Sequence, residues 1–308
     1  MQAAREDKLS APRMRNPAVT MILRRLARRI AGPRLRAALL RFVLREDEII
    51  PFGHALSFDP HSWVIKQTEW GFRIWVALGE RSISREIMLD TYERDEVAFV
   101  HSVVRPGTRV VDIGANIGFY TALLATLVGP QGHVLACEPL DTVADALERT
   151  VSENHFNDRV TLHRVALDAE AGQVHLRHAP VTINAGAAYL APSSSLPVGH
   201  VDVAVRACTL DDIVDDGPCA FVKLDAEGAE PRILLGGART LTRCRPVVLA
   251  ELNPALLERV GHKHANDVIA LMASHGYVAR PLHDGNVANA IERYDDAASI
   301  NVVFRNET

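Results

Sequence analysis

The sequence predicts an α/β protein with a doubly wound, mostly parallel sheet. From Arg109 onward, short β-branched and apolar runs alternate with segments of helical periodicity, the order that builds parallel strands joined by crossover helices. The run VVDIGANIGFYT, residues 110–121, reads as a strand covered on both faces, a glycine turn and a helix N-terminus. Apolar runs also close on a carboxylate at Asp112, Glu138 and Asp225, and ligands of open α/β sheets bind at such strand ends.

Residues 1 to about 18 are polar and charged with Pro12 and Pro17, a composition that predicts disorder. Met21 to Ile30 predicts an amphipathic helix, with Ile22, Leu23, Leu26 and Ile30 on one face and Arg24, Arg25, Arg28 and Arg29 on the other. Gly32-Pro33 breaks it, and Leu35, Leu39, Leu40 and Val43 continue the pattern. Residues 1–48 therefore form a basic N-terminal arm, either a helical pair packed on the body or a peripheral contact for a membrane or protein partner. Residues 49–90 predict a small β-rich extension, with two strands around Gly71-Phe72 and Trp63, Ile65, Ile74 and Val76 inward. Residues 91–308 form the main domain. Its helix over Val97, Val100, Val103 and Val104 stops at Arg105-Pro106-Gly107.

Core strands are expected at Arg109 to Asp112, Val134 to Glu138, Val160 to His163, Ala220 to Asp225, Val247 to Leu252, Tyr277 to Arg280 and Ile300 to Phe304. Helices are expected at Ile117 to Leu127, Val143 to Asn154, Pro231 to Leu241 and Asn266 to His275. An insertion at about 172–207 predicts a β-hairpin, Gly172 to Arg177 with Val201 to Arg206. Its long loop, holding Asn184 and Gly186, is a candidate lid over an acceptor.

The glycine turn selects the cofactor. Gly114, Asn116 and Gly118 stand where a dinucleotide fingerprint has three glycines. The missing second glycine disfavours a pyrophosphate, which needs it for close approach. Asp112 would repel a diphosphate but attract an ammonium, and Glu138 ends the next strand, placed for a ribose diol. An amine and a ribose without phosphate point to S-adenosylmethionine, held by Asp112, Gly114, Asn116, Gly118 and Glu138.

A second set of motifs follows. FVKLDAEGAE (Phe221 to Glu230) comes after TLDDIV and before RPVVLAEL, with TYERDE (Thr91 to Glu96) upstream and NVVF at the end. In this order, together with VVDIGANIGFYT, they resemble the FkbM family of S-adenosylmethionine-dependent methyltransferases over roughly Phe72 to Phe304. The resemblance implies a class I, Rossmann-like methyltransferase fold of seven strands, the last antiparallel. It also implies that Tyr92 and Glu93 lie near the cofactor, and that the reaction is O-methylation of a sugar, polyketide or other small natural product.

Methyl transfer to an alcohol needs alignment and a base for the hydroxyl proton. Asp225 is the first candidate for that base and Glu227 the second. Glu230, opening a helix, is read as structural. Mg²⁺ held by Asp225, Glu251 and Asn253 is a variant that is not favoured, and no metal site is assigned. His262 and His264 are read as solvated loop residues. An N-methyltransferase reading lacks its usual Asn/Asp-Pro-Pro-aromatic motif, because DAEG stands there. A catalytically silent scaffold is the other alternative.

Composition narrows the class. The 308 residues are 48% hydrophobic and 23% charged, an ordinary globular profile. The first 45 residues hold 12 Lys and Arg against 2 Asp and Glu, a net of +10, and the remainder holds 22 against 36, a net of −14. The net charge of −4 gives no reason to expect nucleic acid as a partner, and none is assigned. Four cysteines without a C-x-x-C pair fit a reducing cytoplasm.

Overall fold

The computed structural model describes residues 63–80, 82–178, 189–190 and 201–307. The expected basic arm, the start of the β-rich extension, and the loop with Asn184 and Gly186 lie outside these residues.

Strands β1 (Trp63–Gln67) and β2 (Arg73–Ala77) form an antiparallel hairpin, followed by helices α1 (Ile83–Leu89) and α2 (Arg94–Val103). The central layer then begins. It runs through β3 (Arg109–Ile113), α3 (Phe119–Val128), β4 (His133–Cys137), α4 (Asp141–Glu153) and β5 (Val160–His163). An inserted sheet follows, of β6 (Ala166–Leu167), β7 (Gly172–His178), β8 (Tyr189–Leu190) and β9 (Val201–Cys208). The chain returns through α5 (Leu210–Val214), β10 (Phe221–Leu224), α6 (Glu230–Leu235), α7 (Ala238–Cys244) and β11 (Val247–Leu252). It closes with α8 (Pro254–Gly261), α9 (Ala265–Ser274), β12 (Tyr277–His283), β13 (Asn286–Val287) and β14 (Ile300–Asn306).

The main sheet has the order β13-β12-β14-β11-β10-β3-β4-β5. Seven of these are the expected strands, and β13 is a two-residue addition at one edge. β14 alone among the seven runs antiparallel to its neighbours β11 and β12. β3 lies between β10 and β4, parallel to both. The strand order reverses there, so a crevice opens beyond the carboxyl ends of β3 and β10.

Side chains alternate across this sheet as the period of two requires. Val110, Val134, Phe221, Leu249 and Val303 pack on one face with α3 and with Phe72, Ile74 and Val76 of the hairpin. Val111, Leu135, Val222, Val248 and Val302 pack on the other with Ile233, Leu241, Val268 and Met272. The hairpin thus shares the main core, and its edge is clasped by α4. Asn154 accepts from the Arg73 amide (2.7 Å) and donates to the Arg73 carbonyl (2.6 Å), while the Trp75 amide donates to Thr150 (3.2 Å).

Four expectations need correction. Ile65 is exposed, because the register sets it opposite Trp75, on the other face from the buried Ile74 and Val76, which lie opposite Lys66 and Val64. The helix expected over Pro231 to Leu241 divides into α6 and α7 at Gly236-Gly237, poor helix formers in the interior of the segment. α8 was not anticipated, although Asn253 caps it by accepting from the Leu256 amide (3.3 Å) and Pro254 opens it. The fourth core strand is not wholly apolar: Lys223 is buried within it. The inserted hairpin pairs β7 with β9 from Gly172↔Ala207 to His178↔Val201.

Candidate active site

The turn after β3 builds the first half of the site. Gly114 and Gly118 have φ of 75° and 91°, and Asn116, between them, has φ of 51°. Asparagine tolerates this left-handed region because its short amide bonds locally, and here its side chain accepts from the Ile117 amide (2.7 Å). The backbone at Gly114 passes so close to the exit of β10 that a Cβ there would lie 1.8 Å from the Asp225 carbonyl oxygen. Only glycine fits.

Asp112 and Glu138 stand beside this turn, both buried. Asp112 accepts from the Thr121 hydroxyl (2.6 Å). Burial raises its pKa to about 6, opposed by that hydrogen bond and by Lys223. Glu138 accepts from the amides of Asn116 (3.0 Å) and Leu140 (2.9 Å), one on each oxygen. Each oxygen keeps a lone pair for a further donor, which is what a vicinal diol requires. Burial pushes Glu138 up to about 7 despite both amides.

The other part of the cavity wall is formed by the ends of β10 and β11 and by the start of α2. Asp225 is partly exposed, with its amide donating to Ile113 (3.1 Å). Burial, then Asp225 and Glu251, push Glu227 up to about 8. Glu251 accepts from the Ser299 hydroxyl (2.5 Å), and its pKa is raised by burial and then by Asp225. Glu93 caps α2 with φ of 37° and accepts from the Tyr120 hydroxyl (2.6 Å). Tyr92 packs edge-on against Phe119, 4.9 Å between centroids. Glu93, Asn116 and Glu227 are all non-glycine residues with positive φ. Such strain persists where the surroundings over-determine it, as at binding sites.

All of these residues line one cavity of about 280 Å³: Asp112, Gly114, Asn116 and Glu138 on one side, Glu93, Asp225, Glu227 and Glu251 on the other. Gly118 stands behind its wall, against Leu147. The donor set suits S-adenosylmethionine. Two carboxylates suit an amine and a diol, and the glycine cradle leaves room that a side chain would fill.

Some candidates fall elsewhere. Glu230 turns into the loop behind the cavity, accepting from the amides of Ala226 (3.0 Å) and Gly228 (3.2 Å). Asn253 caps α8 rather than facing Asp225 and Glu251, so the three-oxygen Mg²⁺ arrangement is not assembled. Among the described residues no three His, Cys, Asp or Glu are gathered for a metal. His264 is exposed beside Glu258. Lys223 was missed, and its signal was a lone charge inside an apolar strand. Its ammonium lies 3.5 Å from Asp225 and 3.9 Å from Glu93, and 5.0 Å over the Tyr120 ring.

Among the described residues no helix is long and apolar enough to cross a membrane. The family pattern of the methyltransferase FkbM domain matches residues 112–279, more than half of the chain. A protein-L-isoaspartate O-methyltransferase of Hyperthermus butylicus is 23% identical over 130 residues, 40% of this chain and 41% of that one. A ribosomal RNA large subunit methyltransferase E of Acidithiobacillus ferrooxidans is 37% identical over 70 residues, 22% and 29% of the two chains. This chain thus spans less than half the length of the curated relatives it matches. A solved FkbM methyltransferase from Methylobacillus flagellatus is 19% identical, covering 72% of this chain and 54% of that one, with a TM-score of 0.42.

Proposed function

Because the chain belongs to the FkbM methyltransferase family, and so is an S-adenosylmethionine-dependent methyltransferase, we propose that it methylates a hydroxyl of a small molecule such as a sugar or polyketide. The observation that carries this reading is the single cavity in which the cofactor carboxylates Asp112 and Glu138 face a separate acidic group, Glu93, Asp225, Glu227 and Glu251. When bound, S-adenosylmethionine supplies a methyl carbon activated by an adjacent sulfonium.

The residues divide the work. Glu138 accepts both ribose hydroxyls on the lone pairs left free by Asn116 and Leu140. Asp112, fixed by Thr121, faces the amine, and the Gly114 to Gly118 turn supplies the cradle. Glu93 borders the methyl-transfer end. Asp225 takes the acceptor proton as the new C–O bond forms, because it is a partly exposed carboxylate at the sheet's switch point. Glu227, pushed up to about 8 by burial and then by Asp225 and Glu251, is the second candidate base and serves as one only when ionised. The packed acids disfavour a polyanionic substrate, which supports a small hydroxyl acceptor over RNA.

The test is a hydroxyl-acceptor screen with radiolabelled methyl donor, followed by Asp225→Asn on the best substrate. Turnover should fall by about 10²–10⁴, the usual worth of a positioned base, with little change in cofactor affinity. Turnover that survives this change refutes Asp225 as the base.

A further inference from the structure

Lys223 sits mid-strand in β10, opposite Asp112 on β3. It is 1% exposed. Its Nζ is sealed from solvent and, among the described residues, has no hydrogen-bond partner. The distances of 3.5 Å to Asp225 and 3.9 Å to Glu93 are within ion-pair range but too long for strong hydrogen bonds. A buried ammonium costs several kcal/mol in the absence of compensation, so this one must be held by the charges around it. Asp225 just after β10, Glu93 at the N-cap of α2, Glu96 in its first turn, Glu251 on β11 and Asp112 on β3 surround it, and Tyr120 of α3 presents its ring. Burial opposes the ammonium, but Asp225 and then Glu93 outweigh it and raise its pKa, so it stays charged.

We propose that Lys223 is a positioning residue whose sealed ammonium anchors Asp225 and Glu93 beneath the cavity and supplies the counter-charge for the acidic site. Lys223 belongs to the lining of the cavity, but its Nζ is sealed from solvent, so it acts through those two carboxylates. It joins the exit of β10 to the start of α2, two segments that are 132 positions apart in the sequence. Glu93 in turn takes the Tyr120 hydroxyl, so one charge braces both the acceptor wall and the strained cap of α2. The proposal deepens the reading of Asp225 as the base and rests on it for its catalytic meaning.

The test uses Lys223→Met in the full chain. Without the ammonium the facing carboxylates repel, and one takes up a proton near neutral pH. Binding of cationic S-adenosylmethionine then expels that proton. Calorimetry at pH 7 in buffers of different ionisation enthalpy should show about one more proton released than in the wild type. The charge-balanced Glu93→Gln/Lys223→Met double variant should return to the wild-type count, which loss of packing alone would not do. An unchanged count in Lys223→Met overturns the proposal. If Lys223→Met does not fold, recovery of folding in the double variant supports it, and failure of both overturns it. The proton count does not require Asp225 to be a base. Turnover surviving Asp225→Asn would remove that reading while leaving this measurement to stand or fall by itself.

Discussion

Gly114→Ala tests whether the turn after β3 and the loop after β10 are one construction. The new Cβ would lie 1.8 Å from the Asp225 carbonyl oxygen, about 1.2 Å short of the 3.0 Å below which real contacts essentially never fall. The exits of β3 and β10 would have to separate by at least that amount. The residue also sits at φ +75°, which costs a side chain roughly 1–2 kcal/mol. Gly107 provides the control, having φ +78° and nothing within 4 Å of its would-be Cβ. Gly107→Ala should therefore cost about 1–2 kcal/mol of stability and leave cofactor affinity unchanged. Gly114→Ala should add about 1–3 kcal/mol for the forced displacement. It should also weaken S-adenosylmethionine binding at least tenfold, because a misplacement of about 1 Å disrupts a preorganised site. Urea unfolding gives the first quantity and calorimetry the second. Equal behaviour of the two variants would refute the close approach as the reason for glycine at 114.

Other outcomes follow from the same geometry. Glu138→Ala should weaken cofactor binding by about 1.5–3 kcal/mol, the scale of hydrogen bonds to a charged group, as read by calorimetry. Phe72 is fully buried and packs edge-on to Phe119 at 5.3 Å. Phe72→Ala should cost about 3–5 kcal/mol in chemical unfolding, whereas an independent hairpin would lose little. Burial raises Glu227 to about 8 and Glu138 and Glu230 to about 7. The folded apoprotein then binds more protons than the unfolded chain between the ordinary carboxylate range and those values. The contribution of these groups to stability is full below about pH 4 and is lost as pH rises towards 8. Glu227→Gln should flatten the decline of Tm between pH 6 and 8, and an unchanged slope would show that Glu227 is not protonated there.

The strand–turn–helix at 110–121 was legible because every level agrees: β-branched residues, glycines at positive φ and a helical apolar period. The cavity brings together Asp112, Glu138, Asp225 and Glu227 because strand ends in a parallel sheet fall on one edge, which spacing alone foretells. Lys223 was not legible as part of the site. Its partners come from α2 and α3 as well as its own strand, and such a meeting is a tertiary fact. The break at Gly236-Gly237 and the Asn253-Pro254 cap were written in local chemistry, but the apolar period ran across the first and hid the second. Ile65 fails for another reason: alternation tells which residues of one strand share a face, but the register that sets Ile65 opposite Trp75 and Val64 opposite Val76 depends on the turn.

The contact of the Gly114 backbone with the Asp225 carbonyl constrains how such an enzyme can diversify. Residues 114 and 225 cannot drift independently, since lengthening or bulking either segment would push on the other. Changes in acceptor preference are then channelled away from the sheet's rim and into segments free of that lock. The chain between β5 and α5, with its own small sheet, offers such freedom. Homologues acting on different acceptors should differ there in length while keeping 114 and 225 nearly superimposable.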